Sequence, residues 1–196
     1  RNLDVVMGLE NQIVYNLVDV IEGTCRLKQA AIRDRRYENL YLLPSAQTKD
    51  KSAISPEQMK KLIEQLRDDF DYILIDCMPS LGMMTINALV ASDTVLIPVQ
   101  AAYLPVKGLQ QLIRTISMVK KRLNRKLTIQ GILLTMVDFR TNYAKDIASR
   151  VRETYGSKIS IFENVIPLSV KVAEASAEGK SIYRHCPNGK VSMAYE

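Results

Sequence analysis

Two patterns of apolar residues alternate along the chain, one typical of amphipathic helices and the other of buried strands. Apolar residues recur every three or four positions at 55–66, 106–123 and 142–155, which predicts helices with one buried face. Short apolar runs at 72–76 and 94–99 predict strands that are buried on both sides. Strands that alternate with helices form parallel sheets joined by crossover helices. We therefore predict an α/β fold with a mostly parallel sheet flanked by helices.

Capping residues indicate where several helices begin and end. Ser55 is followed by Pro56 and then by Gln58, a combination that predicts a capping box at a helix start. Gly23 and Gly156 follow helical patterns and predict helix ends. The chain has no internal repeat and no interdomain linker, so we predict one domain over residues 1–196. The other predicted elements are helices at 14–21, 83–90 and 169–178 and strands at 40–43, 130–136 and 159–166.

Composition narrows the class of protein. The sequence is 47% hydrophobic and 24% charged, which is ordinary for a globular protein. No apolar run approaches the roughly 18 residues of a transmembrane helix. Cys25, Cys77 and Cys186 are odd in number and far apart, which argues against a disulfide framework and a paired-cysteine metal site. We therefore expect a cytoplasmic protein.

Charge is distributed unevenly between the two halves of the chain. Residues 1–98 carry 11 basic and 14 acidic side chains, a net charge of −3, whereas residues 99–196 carry 16 and 7, a net charge of +9. Such asymmetry predicts a polyanionic partner for the second half. Scattered lysines that only keep the surface soluble would give the same count, so both interpretations stay open.

The run from Tyr72 to Gly82 is the most informative part of the sequence. Its apolar residues end in Asp76, and a turn rich in Pro, Ser and Gly follows. An acidic side chain at the carboxyl end of a parallel strand lies where open α/β sheets bind ligands. In P-loop nucleotide hydrolases such an aspartate helps to hold Mg²⁺. A strand that merely ends in a polar turn would look the same from this run alone.

A longer match extends this observation. Residues 76–89 resemble the ParA/Soj partition ATPases, whose pattern is Asp-x-Pro-Pro-Ser-Leu-Gly followed by a helix, and the resemblance continues at 93–100, 131–136 and 165–180. The front of the chain is closer to MinD, the sister family that positions the division septum. The resemblance implies a P-loop NTPase-like fold of the ParA/MinD type.

The phosphate loop of these families does not occur in residues 1–196. Both families carry a Lys-Gly-Gly-x-Gly-Lys-Thr loop after their first strand, and the eight glycines here never cluster in this way. We therefore expect a chain truncated before Arg1. The missing strand would neighbour the one ending at Asp76, which would then lose its backbone partners. We expect ATPase activity of a full-length protein and none of residues 1–196 alone.

By this resemblance, Asp76 is the catalytic carboxylate and holds Mg²⁺ through water. The resemblance also makes Pro79, Ser80 and Gly82 the switch loop that follows this carboxylate. Met78 stands where the family usually has a second proline, which is a departure within that loop. Such a metal neutralises charge on the phosphates during phosphoryl transfer.

The resemblance also predicts where the adenine of ATP would lie. Strand ends and prolines need no ligand to explain them, so a purely structural interpretation stays open for these positions. The residues that would line the base are Thr135 and Met136 on one side and Pro167, Leu168 and Val170 on the other.

The partners implied by the resemblance are DNA, a second copy of the chain and a cargo-bound activator. ParA/Soj proteins form an ATP-dependent homodimer that binds DNA without sequence specificity, and a ParB-like centromere-binding protein stimulates hydrolysis. Arg140 and Lys171 match the arginines that this family uses for DNA binding. Each residue alone is better explained as a solvated surface charge, and only together with the net charge of +9 in this half do they indicate phosphate contacts. The function implied is chromosome or plasmid partitioning on the nucleoid.

Two alternatives remain from the sequence. The first is a MinD-like ATPase that associates with the membrane through a C-terminal basic amphipathic helix, which we expect to lie beyond residue 196 in such a protein. The ParA-like pattern from Asp76 onward argues against this alternative, so we expect no membrane partner. The second is a degenerate binding module that takes no nucleotide.

Overall fold

The computed structural model describes residues 3–45, 54–78 and 80–196. Backbone contacts divide them into two units, the first formed by residues up to 91 together with 176–180 and the second by 92–175 together with 181–196. A single domain remains a prediction. The elements in chain order are α1 (Leu3–Val6), α2 (Leu17–Ile21), α3 (Leu27–Ala30), β1 (Ile32–Arg33), β2 (Tyr41–Leu42), α4 (Pro56–Arg67), α5 (Met83–Ala91), β3 (Thr94–Gln100), α6 (Tyr103–Arg122), β4 (Thr128–Thr135), α7 (Asn142–Tyr155), α8 (Val170–Ala177), α9 (Ile182–His185) and α10 (Lys190–Ala194).

Helix capping in the first unit follows the local sequence. Ser55 Oγ accepts a hydrogen bond from the Gln58 backbone N–H, and Gln58 Oε1 accepts one from the Ser55 N–H, so the predicted capping box is confirmed. Asn16 caps α2 in the same manner, which explains why this helix begins later than predicted. Helices α4 and α5 pack on each other. The core of this unit consists of Leu17, Val18, Ile54, Met59, Leu62, Ile63, Leu66 and Ala91.

The strand predicted at 72–76 is not formed. Ile73 and Ile75 pack against the core of the first unit, whereas Tyr72 and Leu74 are 89% and 93% exposed. This alternation is that of a strand with one covered face. A strand also needs a neighbour to supply backbone partners, and no strand in the described part of the chain pairs with this segment.

The second unit is built on a parallel sheet. Strand β3 pairs with β4 from Thr94 opposite Thr128 to Gln100 opposite Thr135, with one irregularity in register at Gln130. On the other side of β4, Ile132 exchanges backbone hydrogen bonds with the segment around 160–162. The strand predicted at 159–166 therefore lies beside β4 but forms only one isolated parallel bridge there, between Ile132 and Ile161.

Helices flank this sheet as predicted. Helix α7 has the bounds predicted from the sequence, with Thr141 Oγ1 accepting a hydrogen bond from the Ala144 N–H at its start. Helix α6 begins three residues earlier than predicted, because Pro105 is tolerated in a first helical turn. These observations confirm the α/β class. None of the helices in the described ranges combines the length and the apolar character needed to span a bilayer.

Candidate functional site

The residues predicted to contact the base meet at the carboxyl end of β4. The Val137 N–H donates to the Ile166 carbonyl oxygen at 3.1 Å, and the Leu168 N–H donates to the Val137 carbonyl oxygen at 3.0 Å. These bonds accompany a parallel bridge between Val137 and Pro167 and hold Met136 beside the segment around Pro167. Met136 adopts a φ of 52°, which is uncommon for a residue other than glycine and marks a sharp change of chain direction after the strand.

Apolar surface is left uncovered at this end of the sheet. Met136 and Leu168 are half-exposed, and Val170 at the start of α8 is largely exposed. Ligand sites for flat organic groups combine apolar walls with a few backbone polar groups. The residues present therefore fit an adenine base, with Thr135 at the end of the strand below them.

Asp76 lies in the first unit and is exposed. Among the described residues, its carboxylate takes part in no ion pair, so its charge is available to a ligand. Partial removal of the Cys77 thiol from water raises its pKa, and the negative charge of the neighbouring Asp76 raises it further. In the loop that follows, Thr85 Oγ1 donates a hydrogen bond to the Ser80 carbonyl oxygen at 2.6 Å. This bond spans Gly82 and ties the loop to the start of α5. Pro79 lies outside the described residues.

The donor set at Asp76 determines how magnesium could bind there. No group of three or more His, Cys, Asp or Glu side chains is positioned to hold a metal within the described part of the chain. Mg²⁺ commonly keeps several waters and uses one or two carboxylates together with substrate phosphates. A single exposed carboxylate therefore fits a hydrated magnesium ion that also contacts a nucleotide.

The two residues predicted to bind DNA both lie in the second unit, and both form ion pairs with acidic side chains close in sequence. Arg140 holds Asp138 through two bonds of 2.8 Å, and this contact lowers the pKa of Asp138 to about 2. Lys171 Nζ lies 2.7 Å from Glu174 Oε2. The hydrogen bond from Lys171 is the main reason why the pKa of Glu174 is lowered.

Sequence reasoning missed both of these acidic partners. The spacing of Lys171 and Glu174, three residues apart on a helix, is a recognised signal for a side-chain pair and would have identified this contact. His185 Nε2 also approaches Glu174 Oε2, at 3.2 Å.

The candidate site residues therefore fall into two groups. Asp76, Ser80 and Gly82 belong to the first unit, and the residues that fit a base and a phosphate backbone belong to the second.

Known proteins resemble this chain over most of its length. A family profile described as an AAA domain matches residues 1–129. The sporulation initiation inhibitor protein Soj of Bacillus subtilis is 39% identical over 193 residues, which cover 98% of this chain and 69% of Soj. The septum site-determining protein MinD of the same organism is 49% identical over 98 residues, which cover 50% of this chain and 37% of MinD.

A solved structure agrees with these matches. Cobyrinic acid a,c-diamide synthase from Mycobacterium smegmatis, with a bound ATP analogue and magnesium, is similar at a TM-score of 0.69 and 28% identity, covering 96% of this chain and 82% of that one. Sequence identity that extends along almost the whole chain thus coincides with a parallel sheet flanked by helices. On both grounds, the chain belongs to the ParA/MinD family of ATPases.

Proposed function

We propose that this protein is a ParA/Soj-type ATPase that partitions chromosomes or plasmids. ATP binding drives formation of a homodimer, and the dimer binds DNA without sequence specificity in the cytoplasm, on the nucleoid. A ParB-like centromere-binding protein then stimulates hydrolysis and release. The observation that carries this proposal is the backbone pairing of Val137 with Ile166 and Leu168, which forms a half-exposed apolar wall in a chain 39% identical to Soj.

The apolar wall would hold the base of the nucleotide. Met136, Leu168 and Val170 present uncovered apolar atoms, and contact with a flat base would remove both surfaces from water. Backbone groups of the segment around Pro167 can hydrogen-bond the edge of the base without a specific side chain.

Asp76 would hold magnesium through water. When bound, the metal supplies neutralisation of the negative charge on the β- and γ-phosphates. The Ser80 loop, tied to α5 through Thr85, would keep the segment after Asp76 in place. Residues 1–196 contain no Lys-Gly-Gly-x-Gly-Lys-Thr string, so hydrolysis is proposed for the full-length protein only.

DNA would bind the second unit through its excess of positive charge. Arg140 and Lys171 are exposed and lie in the half of the chain that carries a net charge of +9. Neutralisation of phosphates by such side chains gives affinity without sequence preference and makes binding strongly dependent on salt. Lys171 provides a point charge in place of the two-pronged contact of an arginine.

The test of this function is ATP hydrolysis by the intact protein with and without duplex DNA. We expect Asp76→Asn to lower the rate about 10- to 100-fold, as removal of a partner of a bound metal commonly does. Asp71→Asn is the matched control, because Asp71 is an exposed aspartate just before the same segment. A normal rate for Asp76→Asn at saturating magnesium would refute the role of this carboxylate.

A MinD-like function on the membrane is the second candidate, and the 49% identity to MinD over half of the chain favours it. Binding of the intact protein to anionic vesicles, without binding to DNA, would support this candidate over partitioning. Failure to bind ATP at all would instead support a nucleotide-free binding module.

A further inference from the structure

A groove on the second unit adjoins the candidate nucleotide residues at Val137, and its other lining residues take no part in the proposed base contacts. Its volume is about 710 Å³, and its walls come from the loop after β4, from α7, from residues 163–165 and from α10. Because α10 is fixed by the buried Ser192, whose hydroxyl donates to the carbonyl oxygens of Ile182 and Cys186, this wall is part of the packed structure.

The groove has an excess of positive charge. Lys145, Arg152 and Lys190 line it together with a single carboxylate, that of Glu163. Within the described residues, none of the three cations forms an ion pair. Arg152 donates instead to the carbonyl oxygens of Phe162 and Glu163, at 3.4 and 3.3 Å, so its guanidinium is positioned while its charge stays uncompensated.

Large apolar side chains also face this groove while remaining in contact with water. Phe139 and Met193 line it and are 55% and 62% exposed. Aromatic residues, methionine and arginine are enriched at protein interfaces. Phe139, Met193 and Arg152 give the groove this character, and the two lysines add to its positive charge.

We propose that this groove binds an acidic peptide segment of a partner protein that carries an apolar anchor side chain. The carboxylates of the peptide would pair with Lys145, Arg152 and Lys190, and the anchor would cover Phe139 and Met193. The positive charge of the groove favours a negatively charged partner. The exposed side chains of Phe139 and Met193 favour a peptide with an apolar side chain over a polyanion without one. None of the residues that would contact the peptide is among those proposed to contact the nucleotide or DNA.

The first test uses a defined probe with the intact protein. The probe is a fluorescein-labelled peptide of glutamate, alanine and leucine, with its leucines one helical turn apart, and its binding is followed by fluorescence anisotropy. A peptide in which alanine replaces each leucine has the same charge and is the control for charge alone. We expect the leucine peptide to bind and the alanine peptide to bind at least about fivefold more weakly, since the anchors of an interface carry much of its affinity. Equal binding of the two peptides, or no binding of either, would overturn the proposal.

Matched variants locate the binding. Lys190→Glu should weaken binding roughly tenfold or more, and Glu163→Gln should tighten it by a few fold. Lys158→Glu makes the same charge change at an exposed lysine outside the groove and should have less than about a twofold effect. Similar losses for Lys190→Glu and Lys158→Glu would mean that only overall charge matters, and the proposal would fail.

Methionine methyl NMR gives an independent readout of the site. The peptide should shift the Met193 methyl signal and leave that of Met118, an exposed methionine on α6, unchanged. If duplex DNA instead shifts the Met193 signal and Lys190→Glu weakens DNA binding as much as Arg140→Gln, the groove belongs to the nucleic-acid surface and the peptide proposal is wrong.

Discussion

The guanidinium of Arg140 and the carboxylate of Asp138 form a two-point ion pair. Nε donates to Oδ1 and Nη2 to Oδ2, both at 2.8 Å, and the Arg140 backbone N–H adds a bond of 3.1 Å to Oδ1. A phosphate oxygen would need the same donors of the guanidinium fork. Asp138 therefore competes with DNA for the residue that we propose to bind it.

Asp138→Asn should strengthen DNA binding. Because the side chain of Arg140 is largely exposed, the competing pair is weak, and we expect a gain of up to about fivefold. The measurement is anisotropy of a random-sequence duplex at several salt concentrations. Asp146→Asn, the same charge change at an exposed aspartate of α7, is the control. An equal gain from both variants would show that net charge, rather than release of Arg140, is responsible.

The same pair predicts an unusual titration. Hydrogen bonds from the Arg140 side chain, and then from its backbone, hold the pKa of Asp138 at about 2 in the folded protein. A lowered folded-state pKa means that the pair contributes stability above the unfolded-state pKa of about 4, and that this contribution is lost as the pH falls towards 2. Carboxyl NMR should show Asp138 titrating near 2, and near 4 in Arg140→Gln. A midpoint near 4 in the unchanged protein would contradict the ion pair.

Arg36→Ala should destabilise the first unit. Arg36 pairs with Asp34, which is 1% exposed, at 2.7 Å, and it also donates to the backbone carbonyl oxygens of Gly179 and Met7. Loss of these bonds leaves a buried carboxylate without its partner, which should lower the free energy of unfolding by about 1–3 kcal/mol. Arg35→Ala changes an adjacent exposed arginine and should stay within about 0.5 kcal/mol. Urea denaturation measures the free energy of unfolding of both variants. Equal losses would show that the contacts of Arg36 with Asp34, Gly179 and Met7 do not stabilise this unit.

Two glycine substitutions should have opposite effects on stability. A Cβ at Gly131 would lie 2.8 Å from the Phe162 ring and 3.1 Å from the Ser160 carbonyl oxygen, so Gly131→Ala should cost about 1–3 kcal/mol. A Cβ at Gly108 in α6 meets nothing within 4 Å, so Gly108→Ala should stabilise by up to about 1 kcal/mol. Thermal unfolding of both variants tests this prediction. Destabilisation by Gly108→Ala would contradict the finding that a Cβ at this position has free space.

Local signals in the sequence predicted helices well and strands less well. The bounds of α7 were predicted correctly, because Thr141 and Gly156 act on the backbone within a few residues. The strand before Asp76 was predicted from its apolar run and was wrong, because a strand depends on a neighbour that its own residues do not specify. The segment at 159–166 shows the intermediate case, in which a neighbour exists but only one isolated bridge forms.

The candidate site was predictable only where a motif or a resemblance named the residues. The positions around Met136 and Pro167 that we propose to contact the base came from the resemblance, and the structure brings them together. The groove beside α10 had no signal in the sequence, because Arg152 and Met193 are distant along the chain and meet only through folding. The roles of Asp76 and Arg140 stay predictions until the variants are measured.

The alternating segment from Tyr72 to Ile75 also affects how the protein behaves at high concentration. Its outward apolar side chains, together with backbone groups that join no ladder in the described chain, form a template on which an identical segment of another molecule can pair. Any state in which this edge is open is therefore prone to aggregate through intermolecular β-structure. Leu74→Lys places a charge on that edge and should keep such a state dispersed at concentrations where the unchanged chain precipitates.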